Sequence, residues 1–154
     1  MAETIRIATN NDLAVIQSIV FTALQEYGLK PAPDSTDQDI TDIESHYTSN
    51  QGYFCIMEND GIPIATGGLE YINANVCELK KMYMVKSARG KGAGKQLLEH
   101  LLVMAKEMGF QEVQLETAKV LREAIQLYEK YGFEKMSDDA PTPRCDLTMR
   151  IKLS

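Results

Sequence analysis

Apolar residues along the 154-residue chain recur with two periodicities. Intervals of three and four residues, which predict helices with one buried face, run through 13–27, 97–108 and 120–131. Runs rich in β-branched and aromatic residues predict strands. These runs lie at 4–8, 53–58, 62–72, 76–85, 112–116, 133–137 and 145–153. The acidic segment 34–49 is only weakly periodic, and we predict a further helix there, of the kind that often borders a binding site.

The order of these segments predicts a mixed α/β fold in a single domain spanning 1–154. Asn59-Asp60-Gly61 separates two strand segments and predicts the turn of an antiparallel hairpin. The strand–helix–strand–helix order over 76–131 instead predicts parallel neighbours, with a ligand near the carboxyl ends of those strands. No linker, repeat or low-complexity tract divides the chain.

A loop rich in glycine and basic residues joins the strand at 76–85 to the following helix. Its sequence is Lys86-Ser87-Ala88-Arg89-Gly90-Lys91-Gly92-Ala93-Gly94-Lys95. A helix that begins here offers unpaired N–H groups and the positive end of its dipole, and both favour an anion. Its glycines let a phosphate approach the backbone closely, and its basic side chains add positive charge. This combination predicts a phosphate-binding loop.

Charge is distributed unevenly along the chain. Six of the 16 basic residues, but none of the 22 acidic ones, lie between Lys80 and Lys95, and the net charge is -6. A positive island on an acidic protein focuses an anionic ligand. The acidic remainder argues against a nucleic-acid partner and suits a cationic substrate. Taken alone, the loop also fits a solvated basic turn.

Spacing excludes two familiar phosphate loops. A G-x-x-x-x-G-K-S/T loop ending at Gly94-Lys95 needs glycine at 89 and a hydroxyl at 96, where the chain has Arg89 and Gln96. A G-x-G-x-x-G fingerprint that starts at Gly90 meets Lys95 instead of its third glycine. The pattern that remains is Arg89-x-x-Gly92-x-Gly94.

This pattern resembles the coenzyme A pyrophosphate signature of the GNAT superfamily of N-acetyltransferases, R/Q-x-x-G-x-G/A. Cys77–Val85 is similar to the fourth strand of that family, and Ala124–Phe133 is similar to its A-x-x-x-Y-x-x-x-G-F helix end. The resemblance covers roughly Glu70 to Met136. It implies a mixed sheet with helices on both faces, in which the parallel fourth and fifth strands splay apart around the pantetheine arm.

Acetyl transfer to an amine needs a group that removes a proton from the ammonium, whose pKa is near 10, and a group that protonates the departing thiolate. The resemblance places the family's thiolate-protonating, coenzyme-binding tyrosine at Tyr128, although Tyr128 also shares a helical face with Leu121 and suits a packing role. It places a catalytic glutamate of histone-modifying relatives at Glu78. Glu70, Glu116 and a chain of waters are alternative bases.

The resemblance also implies the residues that bind the cofactor. The backbone of Met82-Tyr83-Met84 would bind the thioester carbonyl, whose developing charge it stabilises. The loop residues Arg89, Gly90, Lys91, Gly92, Ala93, Gly94 and Lys95 would bind the pyrophosphate. Two positions depart from the family pattern, because Leu121 replaces a frequent Asn or Gln and Ala118 replaces a frequent glycine.

Other chemistry has weaker support. Cys77 adjoins Glu78, but no cationic residue can be placed beside it to activate a thiolate. His46 and His100 are scattered, and we expect both at the surface. No metal site is visible. Asp138 to Pro143 is acidic and suggests a cationic substrate.

Together these features predict an acetyl-CoA-dependent N-acetyltransferase. Its acceptor would be a primary amine of a small molecule, amino acid derivative or peptide, acetylated directly in a ternary complex. A catalytically weak acyl-CoA sensor is the alternative, and a longer acyl donor or an acyl carrier stays open. The N-terminus lacks an export signal, no apolar run approaches the roughly 20 residues of a membrane span, and three cysteines form no disulfide framework. We therefore expect a cytoplasmic protein without a membrane partner, and dimerisation is common in the family.

Overall fold

A computed structural model describes residues 3–138 and 144–154. Seven strands form one sheet in the order β1-β2-β3-β4-β5-β7-β6. The strands are β1 (Glu3–Ile7), β2 (Tyr53–Asn59), β3 (Ile62–Tyr71), β4 (Val76–Met84), β5 (Glu112–Thr117), β6 (Glu134–Ser137) and β7 (Leu147–Lys152). The α-helices are α1 (Leu13–Glu26), α2 (Ile43–His46), α3 (Ala93–Glu107) and α4 (Arg122–Lys130). The predicted mixed α/β fold is confirmed.

The central pair β4–β5 is parallel, and its neighbours on both sides are antiparallel. Pairing between β4 and β5 runs from Val76 and Glu112 only as far as Leu79 and Leu115. Beyond these residues the two strands diverge, so the splay that the resemblance implied is present. The predicted hairpin also forms, and Asp60 and Gly61 turn it with φ of 53° and 82°.

Helices cover both faces of the sheet. Leu97, Leu98 and Leu101 of α3 are fully buried against one face, and α1, α2 and Phe54 form a second cluster on the other. Two glycines of β3 allow both layers to approach. A Cβ at Gly67 would lie 2.8 Å from Leu101, and one at Gly68 would lie 2.5 Å from the Phe54 ring. Among the described residues, none of the helices is both long and apolar enough to cross a bilayer.

A β-bulge interrupts the pairing of β3 with β4. Thr66 pairs with Tyr83 and Gly68 with Lys80, so β4 has two residues opposite the single Gly67. Lys81, one of these two, has a left-handed φ of 55°. The bulge shifts the alternation of side chains along β4, which changes the set of side chains that reach each face of the sheet.

The prediction of a helix over 34–49 is wrong. That segment folds as a short 3₁₀ turn at Gln38–Thr41, the single turn of α2, and another 3₁₀ turn at Thr48–Asn50. Asp42 breaks the run because its backbone is extended, with φ of -157°, while its carboxylate caps α2 by accepting from the Ser45 N–H. The last predicted helix is real but begins at Arg122 rather than at residue 120.

Candidate active site

A cavity of about 590 Å³ opens where β4 and β5 diverge. One wall is the second half of β4, from Glu78 to Met84, and the facing wall is Leu115 to Ala118 with α4. The glycine loop closes one end. Leu29, Ser35, Thr36, Arg144 and Cys145 also line the cavity. The cavity lies at the carboxyl ends of the parallel strands, where the strand order predicted a ligand.

The glycine loop forms an anion cradle at the N-terminus of α3. Gly90 and Gly92 adopt left-handed φ of 76° and 85°, which strains other residues. The first helical bond of α3 runs from the Gln96 N–H to the Gly92 carbonyl, so the preceding N–H groups have no helical partner. This geometry fits a pyrophosphate. Of the seven predicted loop residues, five line the cavity: Arg89, Gly90, Gly92, Gly94 and Lys95.

Lys91 and Ala93 do not line the cavity. Lys91 is exposed beside it, and the Ala93 side chain is buried as the first residue of α3. Gly94 does not have a left-handed φ, and a Cβ there would lie 3.0 Å from the Met84 methyl carbon, which would have to shift slightly.

Arg89 connects the loop to α1. Its guanidinium donates to the Glu26 carboxylate at 2.5 Å and to the Met84 carbonyl at 3.1 Å, and it lies 5.1 Å above the centre of the Tyr27 ring. The positive island is therefore partly neutralised. Lys80 and Lys81 are ion-paired as well, whereas Lys86, Lys91 and Lys95 form no ion pair with the residues that the structure describes.

Tyr128 lies in the cavity wall, 5 % exposed, with its ring 5.5 Å from that of Phe133. Burial raises the pKa of Tyr128 well above its usual value, so the phenol stays protonated. Its hydroxyl makes no hydrogen bond with the part of the chain that the structure describes. The ring of Tyr128 therefore packs against the core, while its hydroxyl is available to donate a hydrogen bond to a ligand.

Glu78 also lines the cavity, on β4. Burial raises the pKa of Glu78 to about 7; Lys80 opposes the shift, and Glu116 and Glu70 add to it. Glu116 lies on the facing strand, and burial raises its pKa as well. Within residues 3–138 and 144–154, neither carboxylate has a salt bridge or a side-chain hydrogen bond.

Glu70 does not line the cavity. It is the cross-strand neighbour of Glu78, and its carboxylate binds the His46 ring and, at 3.4 Å, the Lys80 ammonium. Both histidines are partly exposed, as expected for residues near the surface, but each also contacts a side chain of the sheet. His46 contacts Glu70, and His100 lies 2.7 Å from the Tyr53 hydroxyl. Sequence spacing could not pair them, because each partner comes from a distant strand.

Cys77 is buried on the opposite face of β4, and burial raises its pKa to about 12. A thiol in this environment is not a nucleophile at neutral pH. Leu121 and Ala118, the two departures from the family pattern, both line the cavity and are nearly fully buried.

Sequence reasoning missed a buried ion network beside the part of the cavity that Thr36, Lys81 and Arg144 line. Asp37 and Asp39 are fully or almost fully buried beside Lys81, and Arg144 donates to both oxygens of Asp37. The signal was Lys81, which follows Lys80 directly and so breaks the alternation of apolar and charged residues in Cys77-Glu78-Leu79-Lys80. Asp138 is engaged by Lys119 and Lys135. Asp139 to Pro143, also expected near a substrate, lie outside the described residues.

Within the described ranges, no three His, Cys, Asp or Glu residues converge as metal ligands. A cleft between two diverging parallel strands, closed by a glycine-rich loop at a helix N-terminus, defines the class of coenzyme A-dependent acyltransferases.

Comparison with known proteins identifies the family. The family model described as "Acetyltransferase (GNAT) family" matches residues 18–133. The chain is 34% identical over 131 residues to the uncharacterized N-acetyltransferase YjgM of Escherichia coli, covering 82% of this chain and 78% of that protein. The chain therefore belongs to the GNAT family of acetyl-CoA-dependent acetyltransferases.

Solved structures show the same fold. A GNAT-family acetyltransferase of Staphylococcus aureus superposes with a TM-score of 0.89 at 24% identity, over 99% of this chain and 100% of the other. The PaiA N-acetyltransferase of Thermoplasma acidophilum, solved in complex with coenzyme A, superposes with a TM-score of 0.79 at 22% identity, over 99% and 100%.

Proposed function

We propose that this protein transfers the acetyl group of acetyl-CoA directly to a primary amine of a small molecule, amino acid derivative or peptide in a ternary complex. One observation carries the proposal. One cavity is lined by Glu78, a carboxylate with a pKa of about 7 and no partner among the described residues, and by a protonated phenol, Tyr128. These are the two groups that amine acetylation needs.

Acetyl-CoA supplies the activated acetyl group and a thiolate leaving group. The glycine loop would bind the pyrophosphate through the first N–H groups of α3, and Lys91 and Lys95 would add charge at its rim. Arg89, which pairs with Glu26, would have two roles: it would fix the loop to α1 and contact the phosphate. Met82, Tyr83 and Met84 line the cavity, and we assign the binding of the thioester carbonyl to their backbone N–H groups.

Glu78 would take the proton from the acceptor ammonium. A pKa of about 7 leaves roughly half of the carboxylate ionised at neutral pH, which suits a base that must also release its proton. Glu116 faces the same cavity and is the second candidate, alone or through a water. Glu70 is less suited because His46 and Lys80 occupy its carboxylate.

Tyr128 would donate the proton to the departing thiolate. Its hydroxyl lies in the cavity wall without a partner from the described chain, and its raised pKa keeps the proton in place until a strong base forms. The proposed acid, Tyr128, lies on α4, and the proposed base, Glu78, lies on β4. Because both line the same cavity, both could act on an acetyl group bound there.

We assign the acceptor to the part of the cavity lined by Glu78, Glu116, Lys80, Lys81 and Arg144, called the acceptor end, and the charges there favour a cationic amine. Its three cations are already neutralised within the protein, Lys80 by Glu70, Lys81 by Asp37 and Asp39, and Arg144 by Asp37. Glu78 and Glu116 have no ion pair with the described residues, so their ionised forms place uncompensated negative charge there. An acceptor with a second positive charge would be attracted, whereas a carboxylate beside the reactive amine would meet no free cation from the described part of this wall.

The test is thiol release from acetyl-CoA over a panel of monoamines, diamines, amino acid amides, free amino acids and short peptides. We expect release with at least one primary amine, and faster release with amines that have no carboxylate. If acetyl-CoA binds at micromolar concentration and no amine releases thiol, the chain is an acyl-CoA sensor instead. A parallel series of longer acyl-CoA donors measures the length of the acyl pocket.

A further inference from the structure

Lys81 is an unusual residue for the middle of a sheet. It lies in β4 at the bulge, it has a left-handed φ of 55°, and its side chain is only 5% exposed. A non-glycine residue in this conformation is strained, and a buried ammonium is costly without partners. Such a residue persists only where its surroundings hold it.

The sequence of β4 requires the bulge. Cys77 and Leu79 pack toward α3 at an interval of two residues, and Met82 and Met84 pack toward the same face after an interval of three. In a regular strand, Lys81 would follow Leu79 into that apolar layer. The extra residue instead brings Lys81 to the α1 face, which also carries Lys80.

The ammonium and the backbone carbonyl of Lys81 both have partners. Its ammonium lies 3.0 Å from Asp39, 3.3 Å from Asp37 and 3.3 Å from the Thr36 carbonyl oxygen. Its own carbonyl accepts a hydrogen bond of 2.7 Å from the buried Thr66 hydroxyl on β3. Both ends of the residue are therefore fixed, one to the loop and one to the sheet.

The two carboxylates that hold Lys81 are themselves fixed. Asp37 accepts from both terminal nitrogens of Arg144, at 2.6 and 2.8 Å, and from the Ala32 N–H at 2.8 Å. Asp39 accepts from the buried Tyr47 hydroxyl. The anchor is thus built into the segment that borders the acceptor end, and it does not depend on solvent-exposed side chains.

We propose that Lys81 is a positioning residue for catalysis: its ion pairs with Asp37 and Asp39 hold the β4 bulge in the conformation that aims the following backbone N–H groups at the thioester carbonyl. The inference rests on the proposed function, because it gives a cause for the carbonyl site assigned to Met82-Tyr83-Met84. Lys81 itself does not contact the reacting atoms in this role. It also couples that site to the acceptor wall through the shared Asp37.

The experiment separates this role from general stability by comparing two ligands. S-ethyl-coenzyme A has nearly the shape of acetyl-CoA but lacks the carbonyl oxygen, so a preference for acetyl-CoA reports the carbonyl contact and needs no acceptor. We expect the wild type to bind acetyl-CoA about tenfold more tightly, the effect of one good hydrogen bond. In Lys81→Met that preference should fall below twofold while binding of S-ethyl-coenzyme A persists.

Two further variants make the result decisive. Lys81→Met leaves the buried Asp39 carboxylate without its cation and could therefore fold poorly. The double variant Lys81→Met/Asp39→Asn removes both charges and leaves Asp37 paired with Arg144. It should lose the preference for acetyl-CoA to the same extent as Lys81→Met. Arg6→Met is the matched control, since Arg6 also bridges two carboxylates, Asp12 and Glu58, but at the β1 edge. It should keep the preference.

The proposal is overturned if the double variant keeps the tenfold preference for acetyl-CoA. It is also overturned if the variants bind both ligands more weakly by the same factor, because a purely structural role would produce that result. It is also overturned if the wild type shows no preference. In the amine panel, the turnover number of the Lys81 variants should fall at least 30-fold. If the preference behaves as expected but no amine accepts acetyl, the proposed transferase function fails and the role of Lys81 stands.

Discussion

Neighbouring residues of one basic run have different roles in the folded protein. Lys80 and Lys81 are adjacent, yet the first pairs with Glu70 on β3 and the second with aspartates of a distant loop. The sequence correctly located the positive island, because charge density is a local property. It could not show which cations stay free, because their partners come from other elements and meet them only through the tertiary fold.

Glu78→Gln tests the assigned base. The amide cannot accept the proton, so we expect kcat/KM for an amine acceptor to fall at least 100-fold. In the wild type the rate should rise with pH through an apparent pKa near 7, since the carboxylate must be ionised, and this inflection should vanish in the variant. Steady-state rates over a pH range of about two units on either side of that pKa measure both effects. If Glu116→Gln instead removes the inflection, Glu116 is the base.

The same substitution has a consequence for stability. The folded state raises the pKa of Glu78 from 4.5 to about 7, so it binds this proton more tightly than the unfolded state does. The stabilisation is present below the unfolded pKa and is lost as pH rises through about 7. Because glutamine does not titrate, Glu78→Gln should gain on the order of 2 kcal/mol relative to the wild type between about pH 5 and about pH 8. Urea unfolding at both pH values checks the sign.

Tyr128→Phe tests the assigned acid. It removes a hydroxyl that bonds to no described residue and leaves the ring against Phe133, so the fold should be retained. We expect kcat to fall about 10- to 100-fold, while the Kd of coenzyme A changes less than about threefold. Tyr131→Phe at the end of the same helix is the control and should leave both constants unchanged. An unchanged kcat in the Tyr128 variant would exclude the acid role.

At the scale of elements, periodicity and turn chemistry predicted all seven strands of the described sheet and three of its helices. These signals are local, and they are strong where an element packs one face against the core. The failure at 34–49 has a physical cause, because Asp37 and Asp39 serve buried ion pairs and Asp42 serves as a cap rather than contributing to a helix face. The splay of β4 from β5 entered only through family resemblance, since no periodicity records where strand pairing ends.

Gly92→Ala tests the glycine loop as an element. Gly92 has a φ of 85°, and a Cβ added there would meet nothing within 4 Å, so alanine introduces backbone strain without a clash. We expect a loss of about 1 kcal/mol in the free energy of unfolding and a roughly tenfold weaker Kd for coenzyme A, because the strained loop relaxes away from its cradle geometry. Gly28→Ala, at a φ of 72° and equally open, should lose the same stability and no affinity.

At the scale of the whole molecule, the glycine loop carries positive charge, whereas the protein as a whole is negatively charged. The chain carries a net charge of -6, and Lys86, Lys91 and Lys95, which have no ion pair among the described residues, lie at or beside the glycine loop. Under the proposed function, polyanionic acetyl-CoA would approach this loop, whereas a cationic acceptor would approach Glu78 and Glu116 in the cavity wall. This separation would keep each ligand from competing for the site of the other.

This separation predicts a specific dependence on salt. Raising the ionic strength from about 0.05 to about 0.3 M shortens the Debye length from about 14 to about 6 Å and screens both fields. The KM of a diamine acceptor should therefore rise several-fold, and that of a monoamine of similar length should rise much less, because only the second ammonium is held by charge alone. Initial rates with both acceptors at saturating acetyl-CoA measure the contrast. Equal salt dependence would mean that Glu116 and Glu78 do not bind the second charge, and that shape rather than charge selects the acceptor.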